Sequence, residues 1–279
     1  MRTLAAPAKI NLALVVGPRR EDGKHELVTI LQPLELHDRI TLGPAESLSV
    51  TGFADDTIVT EALAALAARA GIAPAWQVEI DKAIPVAAGL GGGSSDAAAA
   101  LRLANGLLPE PLDAERLATL AASIGADVPF FLEPGPQLGA GDGTLLTQLE
   151  LPHDFVVVLV LPRGVVKAST GDVYGRFDAR DGAEGFESRR ASLFESLAGI
   201  RTAADLAGLP PNDLASSPLS QRIRSMGALR ADVSGAGPCV YGLFADRAVA
   251  GAAAAALEEH GSVWVTAPAG PDEASPGAA

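Results

Sequence analysis

The sequence contains one cysteine, Cys239, among its 279 residues. A single thiol excludes an internal disulfide and is typical of proteins that work in a reducing cytoplasm, so we expect a cytoplasmic location. Four histidines and this cysteine show no spacing typical of a structural metal site. The sequence therefore predicts a fold that neither disulfides nor a structural metal hold together.

Long apolar runs are also missing. The longest, Phe155–Leu161, lies between Asp154 and Pro162 and is far too short to cross a bilayer. The N-terminal residues Met1–Thr3 lead directly into a strand-like stretch and lack the apolar segment of a signal peptide. We expect no association with a membrane.

Positive charge is scarce, because 21 lysines and arginines face 34 acidic residues and the net charge is −13. Such a surface repels nucleic acid, so no nucleic-acid partner is expected. If the chain binds phosphates, it must concentrate positive charge and N–H donors at one place. The expected partner is therefore a small molecule, bound by a monomer or a homodimer.

A glycine-rich loop is the strongest local signal in the chain. Trp76, Val78 and Ile80 alternate with polar residues and predict a strand before the loop, and Ser95–Asn105 predicts a helix after it. Glycine allows close approach of an anion to the backbone, and free N–H groups at a helix start bind phosphate. The loop consists of Pro85, Val86, Ala87, Ala88, Gly89, Leu90, Gly91, Gly92, Gly93, Ser94 and Ser95.

The loop matches neither common nucleotide motif. In G-x-G-x-x-G, Ser94 stands where the third glycine is required, and no G-x-x-x-x-G-K-[ST] pattern occurs. A flexible turn before a well-capped helix remains the alternative interpretation of the loop.

Two charged residues lie in apolar surroundings. Lys9 lies in the strand-like stretch 4–16, with Asn11 on the same side, and Asp127 lies between a helix end and Pro129. Burial of either charge is costly unless it meets an opposite charge or hydrogen bonds. Alternatively, Lys9 reaches the surface at a strand end and Asp127 accepts backbone N–H groups in a turn.

The remaining pattern predicts the secondary structure. Asp22-Gly23 predicts a hairpin turn with His25 at its exit, where a lone histidine is often structural. Residues 28–36 and 39–42 are interpreted as two strands around a turn at His37-Asp38. Residues 178–190 are interpreted as an exposed loop, and the tail 268–279 as disordered.

Three motifs together resemble the GHMP kinase superfamily. They are Pro7-Ala8-Lys9-Ile10-Asn11, the glycine-rich loop, and Val233-Ser234-Gly235-Ala236-Gly237. The resemblance spans residues 3–266 and implies a two-domain α+β fold. An N-terminal domain similar to ribosomal protein S5 domain 2 would cover 1–152, and a ferredoxin-like domain would cover 153–267.

The resemblance also implies roles. Lys9 and Asp127 would be catalytic, the glycine-rich loop would bind ATP with Mg²⁺, and the acceptor would be 4-diphosphocytidyl-2-C-methyl-D-erythritol. The residues implied to bind this substrate are Asn11, Lys24, His25, Thr170 and Tyr174. Lys24 departs from the tyrosine usual at its position, which leaves another GHMP-type acceptor open. A nucleotide-binding protein without catalysis is a further alternative.

Overall fold

Two β-sheets carry the helices of this chain in the computed structural model, which describes residues 1–165 and 169–270. Runs of strands and runs of helices follow one another along the chain, and both sheets are mainly antiparallel, which confirms the expected α+β class. Within these residues, every helix is too short or too polar to cross a membrane.

The first sheet is built on a long hairpin. Its strands are β1 (Arg2–Arg19), β2 (His25–Pro44), β3 (Ser49–Thr51), β4 (Trp76–Asp81), β5 (Gln137–Gly141) and β6 (Leu145–Gln148). The order is β3-β4-β2-β5-β6, with β1 also paired to β2, and only β3 and β4 pair in parallel. Gly23 lies in the hairpin turn with φ +80°, as the Asp-Gly pair predicts.

The turn expected at His37-Asp38 is wrong. Strand β2 runs through these residues without interruption, because residues 27–31 pair with β5 and residues 39–44 pair with β4. Asp38 is fully buried, and its carboxylate accepts hydrogen bonds from Lys82 and from the backbone N–H groups of Ala83 and Ile84. Distant partners therefore satisfy a polar residue that the local pattern assigned to a turn.

Two helices, α1 (Ile58–Ala70) and α2 (Gly92–Asn105), pack against this sheet, and α3 (Ala114–Ile124) packs against these two helices. The buried alanines of α2 let it pack closely against α1 and the sheet. A short 3-10 helix, Pro129–Leu132, follows α3. Since α2 begins at the glycine-rich loop, the tight packing of this helix holds the loop in place.

The second sheet contains β7 (Val156–Pro162), β8 (Arg230–Val233), β9 (Val240–Phe244) and β10 (Gly261–Thr266). Its order is β10-β7-β9-β8, and all its pairs are antiparallel. The helices of this half are α4 (Thr170–Asp178), α5 (Phe186–Gly199), α6 (Pro218–Ser225) and α7 (Arg247–Leu257), with a 3-10 turn at Ala203–Gly208. This is the ferredoxin-like arrangement that was expected.

Two expectations about irregular segments need correction. Helix α5 begins at Phe186, inside the expected loop 178–190, and the Phe186 ring is buried against Gly17 of β1. At the C-terminus, the Ala269 N–H donates to the Pro33 carbonyl, so residues 268–270 belong to the fold rather than to a disordered tail. The rest of that predicted tail, 271–279, lies outside the described residues.

The two sheets share buried residues. Ile10 and Leu12 of β1 lie in the same apolar cluster as Leu159 of β7 and Tyr241 of β9. Because this cluster is continuous, it fixes the position of β1 relative to the second sheet.

Candidate active site

A cleft of about 390 Å³ opens where β1, the glycine-rich loop and the second sheet meet. It is lined by Lys9, Asn11, Leu14, Leu27, Thr29, Leu31, Pro85, Ala87, Ala88, Gly89, Leu90, Gly91, Gly92, Ser94, Ala126, Asp127, Asp142, Gly143, Thr170, Tyr174, Leu214, Gly235, Ala236 and Gly237. The three sequence motifs therefore converge on one place, although they are far apart in the chain.

Lys9 and Asp127 meet in this cleft. Nζ of Lys9 lies 3.4 Å from Oδ2 of Asp127, and the Lys9 side chain is 5% exposed whereas that of Asp127 is 44% exposed. The same ammonium donates to Oδ1 of Asn11 at 2.7 Å, and Nδ2 of Asn11 donates to Oγ1 of Thr29 at 2.8 Å. A fixed cation thus lies beside a carboxylate that a bound molecule can reach.

The path of β1 explains how Lys9 and Asn11 face the cleft. The pairing of β1 with β2 is irregular between Pro7 and Lys9 and again between Asn11 and Ala13. Such irregularities change the direction of side chains along a strand. At the first of them, the backbone N–H of Lys9 donates to the Leu90 carbonyl of the glycine-rich loop at 2.9 Å. Strand β1 is therefore bonded directly to the loop.

The glycines of the loop are required by its shape. Gly89 has φ +86°, and a Cβ there would lie 2.4 Å from the Ser234 carbonyl oxygen. Gly91 has φ +74°, and its Cβ would lie 2.8 Å from the Phe131 ring. Helix α2 starts at Gly92, and no side chain caps its first turn in the described structure. Its N–H groups and dipole thus favour an anion at the cleft.

Three residues of the predicted loop do not line the cleft. Val86 is 58% exposed and points elsewhere, and Gly93 and Ser95 lie in the first turn of α2. The Ser95 hydroxyl is buried and has no hydrogen-bond partner within the described residues. A buried hydroxyl without a partner is unusual, and this one lies within the first turn of α2.

His25 lies behind Tyr174 rather than in the lining of the cleft. The two rings stack with centroids 4.7 Å apart, and Nε2 of His25 lies 2.7 Å from Oδ1 of Asp178. Hydrogen bonds from His25 and Arg19 lower the pKa of Asp178, so this carboxylate accepts and His25 Nε2 carries the proton. Tyr174 and Thr170 do line the cleft.

Burial holds the Tyr174 hydroxyl neutral. Loss of water around the ring raises the pKa of Tyr174 to about 12, and the nearby negative charge of Asp127 acts in the same direction. The ring therefore presents an uncharged hydroxyl to the cleft throughout the physiological range.

Lys24 lies at the rim and is bound to an acidic residue. Its Nζ lies 2.5 Å from Oδ2 of Asp142, which lines the cleft, and the Lys24 side chain is 56% exposed. Burial favours a higher pKa for Asp142, but hydrogen bonds from Lys24 and Thr144 outweigh it and lower the pKa to about 2. The structure thus pairs Lys24 with Asp142 instead of directing it into the cleft.

Comparison with known proteins identifies the family. The model of the GHMP kinase N-terminal domain matches residues 57–135, and that of the GHMP kinase C-terminal domain matches 183–263. A 4-diphosphocytidyl-2-C-methyl-D-erythritol kinase from Rhodococcus jostii (strain RHA1) is 40% identical over 257 residues, covering 85% of this chain and 82% of the relative. The chain belongs to the GHMP kinases, in the 4-diphosphocytidyl-2-C-methyl-D-erythritol kinase branch.

Two further comparisons agree. A kinase of the same name from Streptomyces avermitilis is 37% identical, with 93% of each chain covered. A crystal structure of 4-(cytidine 5'-diphospho)-2C-methyl-D-erythritol kinase superposes with a TM-score of 0.77 at 32% identity, covering 96% of this chain and 100% of that one. The chain is accordingly an ATP-dependent small-molecule kinase.

Beneath the glycine-rich loop of this kinase lies a buried cluster of charges. Nζ of Lys82 lies 2.7 Å from Oδ2 of Asp96 in α2 and also contacts the carboxylate of Asp38 on β2. Oδ1 of Asp96 is buried without a partner within the described residues. Burial and the negative charge of Asp38 raise the pKa of Asp96 to about 7, although Lys82 acts to lower it. The cluster ties the first turns of α2 to the first sheet.

Several residues of this GHMP kinase site were missed by sequence reasoning. Thr29 holds Asn11, Asp142 holds Lys24, and Leu14, Leu27 and Leu214 form apolar parts of the lining. Asp142 stands between Gly141 and Gly143, a pattern typical of turns, which offered a weak signal. The leucines offered none, since leucine is ordinary in any core.

Proposed function

We propose that this kinase transfers the γ-phosphoryl group of ATP to the 2-hydroxyl of 4-diphosphocytidyl-2-C-methyl-D-erythritol, in non-mevalonate isoprenoid precursor biosynthesis. The observation that carries the proposal is the contact between Lys9 and Asp127 at the cleft beside the glycine-rich loop. The names of the Rhodococcus and Streptomyces relatives support the choice of acceptor.

In this proposal Asp127 is the general base. Its exposed carboxylate takes the proton of the acceptor hydroxyl as the oxygen bonds to the γ-phosphorus, and the bond from that phosphorus to the bridging oxygen breaks to release ADP. Lys9 stabilises the negative charge of Asp127 by Coulomb attraction, and Asn11 holds Lys9 in place. The second N–H of the Asn11 amide remains available to the acceptor.

The glycine-rich loop holds the phosphates in this proposal. The uncapped N–H groups at the start of α2 bind phosphate oxygens, and the Ser95 hydroxyl is available as a further donor. ATP enters as its magnesium complex, in which the cation neutralises charge on the phosphates. Catalysis then depends mainly on positioning and charge stabilisation.

The acceptor side of the cleft suits a molecule with a flat base and a polar chain. Tyr174 offers an aromatic face, Thr170 offers a hydroxyl, and His25 with Asp178 lies directly behind the tyrosine. We propose that Tyr174, Thr170 and Lys24 contact the cytidyl group, and that His25 supports this contact through its stacking on Tyr174. For this contact, the Lys24 ammonium leaves the Asp142 carboxylate and binds the cytidyl group instead.

The same evidence supports three broader proposals. The domain boundary falls at 152/153, between the end of β6 at Gln148 and the start of β7 at Val156. The enzyme works in the cytoplasm, which the single buried thiol of Cys239 suits. It acts as a monomer or a homodimer, without nucleic acid.

A coupled ADP-release assay tests the function. We expect turnover with 4-diphosphocytidyl-2-C-methyl-D-erythritol and none with mevalonate or homoserine at equal concentration. The pairing of Lys24 with Asp142, in place of an aromatic wall, favours a different acceptor as the second candidate. Turnover of mevalonate or homoserine alone would overturn the first proposal and support the second.

A further inference from the structure

The loop of the third motif, Ser234–Gly237, contacts both Lys9 and the glycine-rich loop. The Ser234 hydroxyl donates to the Gly89 carbonyl at 2.9 Å. A Cβ on Gly235 would lie 3.4 Å from Oδ1 of Asn11 and 3.5 Å from Nζ of Lys9. Any displacement of this loop therefore changes the surroundings of Lys9 and the hydrogen bond to the Gly89 carbonyl together.

Asn212 holds the Ser234–Gly237 loop without lining the cleft itself. Its Nδ2 donates to the Val233 carbonyl at 2.9 Å and to the Gly235 carbonyl at 2.6 Å. Its Oδ1 accepts from the backbone N–H of Leu214 at 2.8 Å, and Asn212 is only 8% exposed. Both ends of one buried amide are thus bonded to backbone, which fixes the loop relative to residues 212–214.

The segment around Asn212 is itself attached to β1. Asn212 bridges Leu14, and the Asp213 N–H donates to the Leu14 carbonyl at 2.9 Å. The Asp213 carboxylate accepts from the Val16 N–H at 2.8 Å and from Arg189 at 3.0 Å. Leu14 and Leu214 both line the cleft. Asn212 therefore connects the strand that carries Lys9 to the loop that packs on Lys9.

We propose that Asn212 is a positioning residue for phosphoryl transfer, which sets the distance between the Ser234–Gly237 loop, the Lys9 ammonium and the Gly89 backbone. It touches neither substrate and acts through Gly235. The proposal rests on the proposed function only for the choice of assay substrate. A misplacement of about 1 Å in such a site lowers the rate by roughly 100-fold.

Two variants test the proposal. Asn212→Ala removes all bonds of the side chain, and Asn212→Ser keeps an acceptor for the Leu214 N–H but cannot reach the carbonyls of Val233 and Gly235. We expect kcat to fall by about 10- to 100-fold in both, with KM for ATP changed by less than about 3-fold, because the N–H groups of α2 are not touched. If Asn212→Ala does not fold, the kcat and the KM for ATP of Asn212→Ser alone test the proposal.

Asn105→Ala is the matched control. Asn105 is also a buried asparagine whose amide bonds to backbone at both ends, here the N–H and carbonyl of Leu112, but it lies at the far end of α2 from the cleft. It should lose thermal stability much as Asn212→Ala does, while its kcat stays near that of the wild type. Equal kcat in the Asn105 and Asn212 variants would overturn the proposal.

Amide hydrogen exchange gives a readout that needs no acceptor. The N–H of Ser234 donates to the Cys239 carbonyl and that of Gly237 to the Ser234 carbonyl. Both should exchange at least about 10-fold faster in Asn212→Ser and at the wild-type rate in Asn105→Ala. Unchanged exchange in Asn212→Ser refutes the positioning role. If the wild type phosphorylates another acceptor in the ADP-release assay, only the proposed function is refuted.

Discussion

Asp127 and Lys9 show how exposure divides the work between two paired charges. The carboxylate is 44% exposed and can reach a bound hydroxyl, whereas the ammonium is 5% exposed and cannot follow it. A buried ammonium needs partners, and Lys9 finds them in Asp127 and Asn11. Lys9 is therefore suited to hold the base in place, and Asp127 to take the proton.

Asp127→Asn tests the role of the carboxylate. The amide keeps the shape of the side chain but has little capacity to accept a proton, so we expect kcat to fall by about 10² to 10⁴. ATP affinity, measured by calorimetry, should stay near the wild-type value, because the phosphates are proposed to bind at the start of α2. Asp142→Asn, at the rim, should lower kcat far less; a similar loss in both variants would argue against Asp127 as the base.

At the scale of an element, α2 begins at the glycine-rich loop that lines the cleft, and its first turn lies over a cluster of buried charges. Lys82 joins Asp96 of α2 to Asp38 of β2, and the Asp38 carboxylate also accepts from the backbone N–H groups of Ala83 and Ile84. The faces of α1 and of the sheet that pack on α2 are apolar. Two carboxylates thus lie around one ammonium in apolar surroundings. One negative charge has no counter-charge of its own there, and its burial costs folding free energy.

Asp96 should make the stability of the folded chain depend on pH. Its pKa is raised from 3.8 to about 7, so the folded state prefers the protonated carboxyl and loses stability as pH rises from about 4 through about 7. Asp96→Asn has no carboxyl to ionise, and Lys82 keeps Asp38 as its partner. We expect the free energy of unfolding to vary less between pH 5 and 8 in this variant than in the wild type.

Urea unfolding at several pH values measures this difference. Asp55→Asn is the control, since Asp55 is an exposed aspartate before α1 and its replacement should leave the pH dependence as in the wild type. A slope in Asp96→Asn equal to that of the wild type would show that Asp96 stays ionised in the folded enzyme.

At the scale of the whole molecule, the cleft exists because two sheets share one buried cluster. Tyr241 of β9 is fully buried, its hydroxyl accepts from Nε of Arg230 at 3.1 Å, and it donates to the Leu12 carbonyl of β1 at 3.3 Å. This bond crosses from one sheet to the other close to Asn11. The relative position of the two halves thus affects both stability and the site.

Tyr241→Phe should lower the free energy of unfolding by about 1–3 kcal/mol, because buried polar groups of Arg230 and Leu12 lose a partner. Tyr174→Phe offers a comparison in the chain's other tyrosine and should change stability by less than about 0.5 kcal/mol. Chemical denaturation measures both. Equal stability of Tyr241→Phe and the wild type would mean that the crossing bond contributes nothing to folding.

Sequence reasoning succeeded where local pattern and structure coincide. The hairpin at Gly23, the glycine-rich loop and the helix after it follow from short-range rules for turns and helix starts. It failed at Asp38 and at Phe186, which a local pattern assigned to a turn and a loop. Both are buried by residues distant in the chain, Lys82 for the first and Gly17 for the second.

The sequence by itself determined the family and the α+β class and pointed to the residues proposed to carry the chemistry, because these depend on short motifs with distinct physical properties. Only the tertiary structure decided which of those residues meet. It brought Lys9 to Asp127, placed His25 behind Tyr174, paired Lys24 with Asp142, and connected Asn212 to Gly235. Such contacts depend on how β1 and the second sheet pack together, and short-range sequence patterns do not specify that packing.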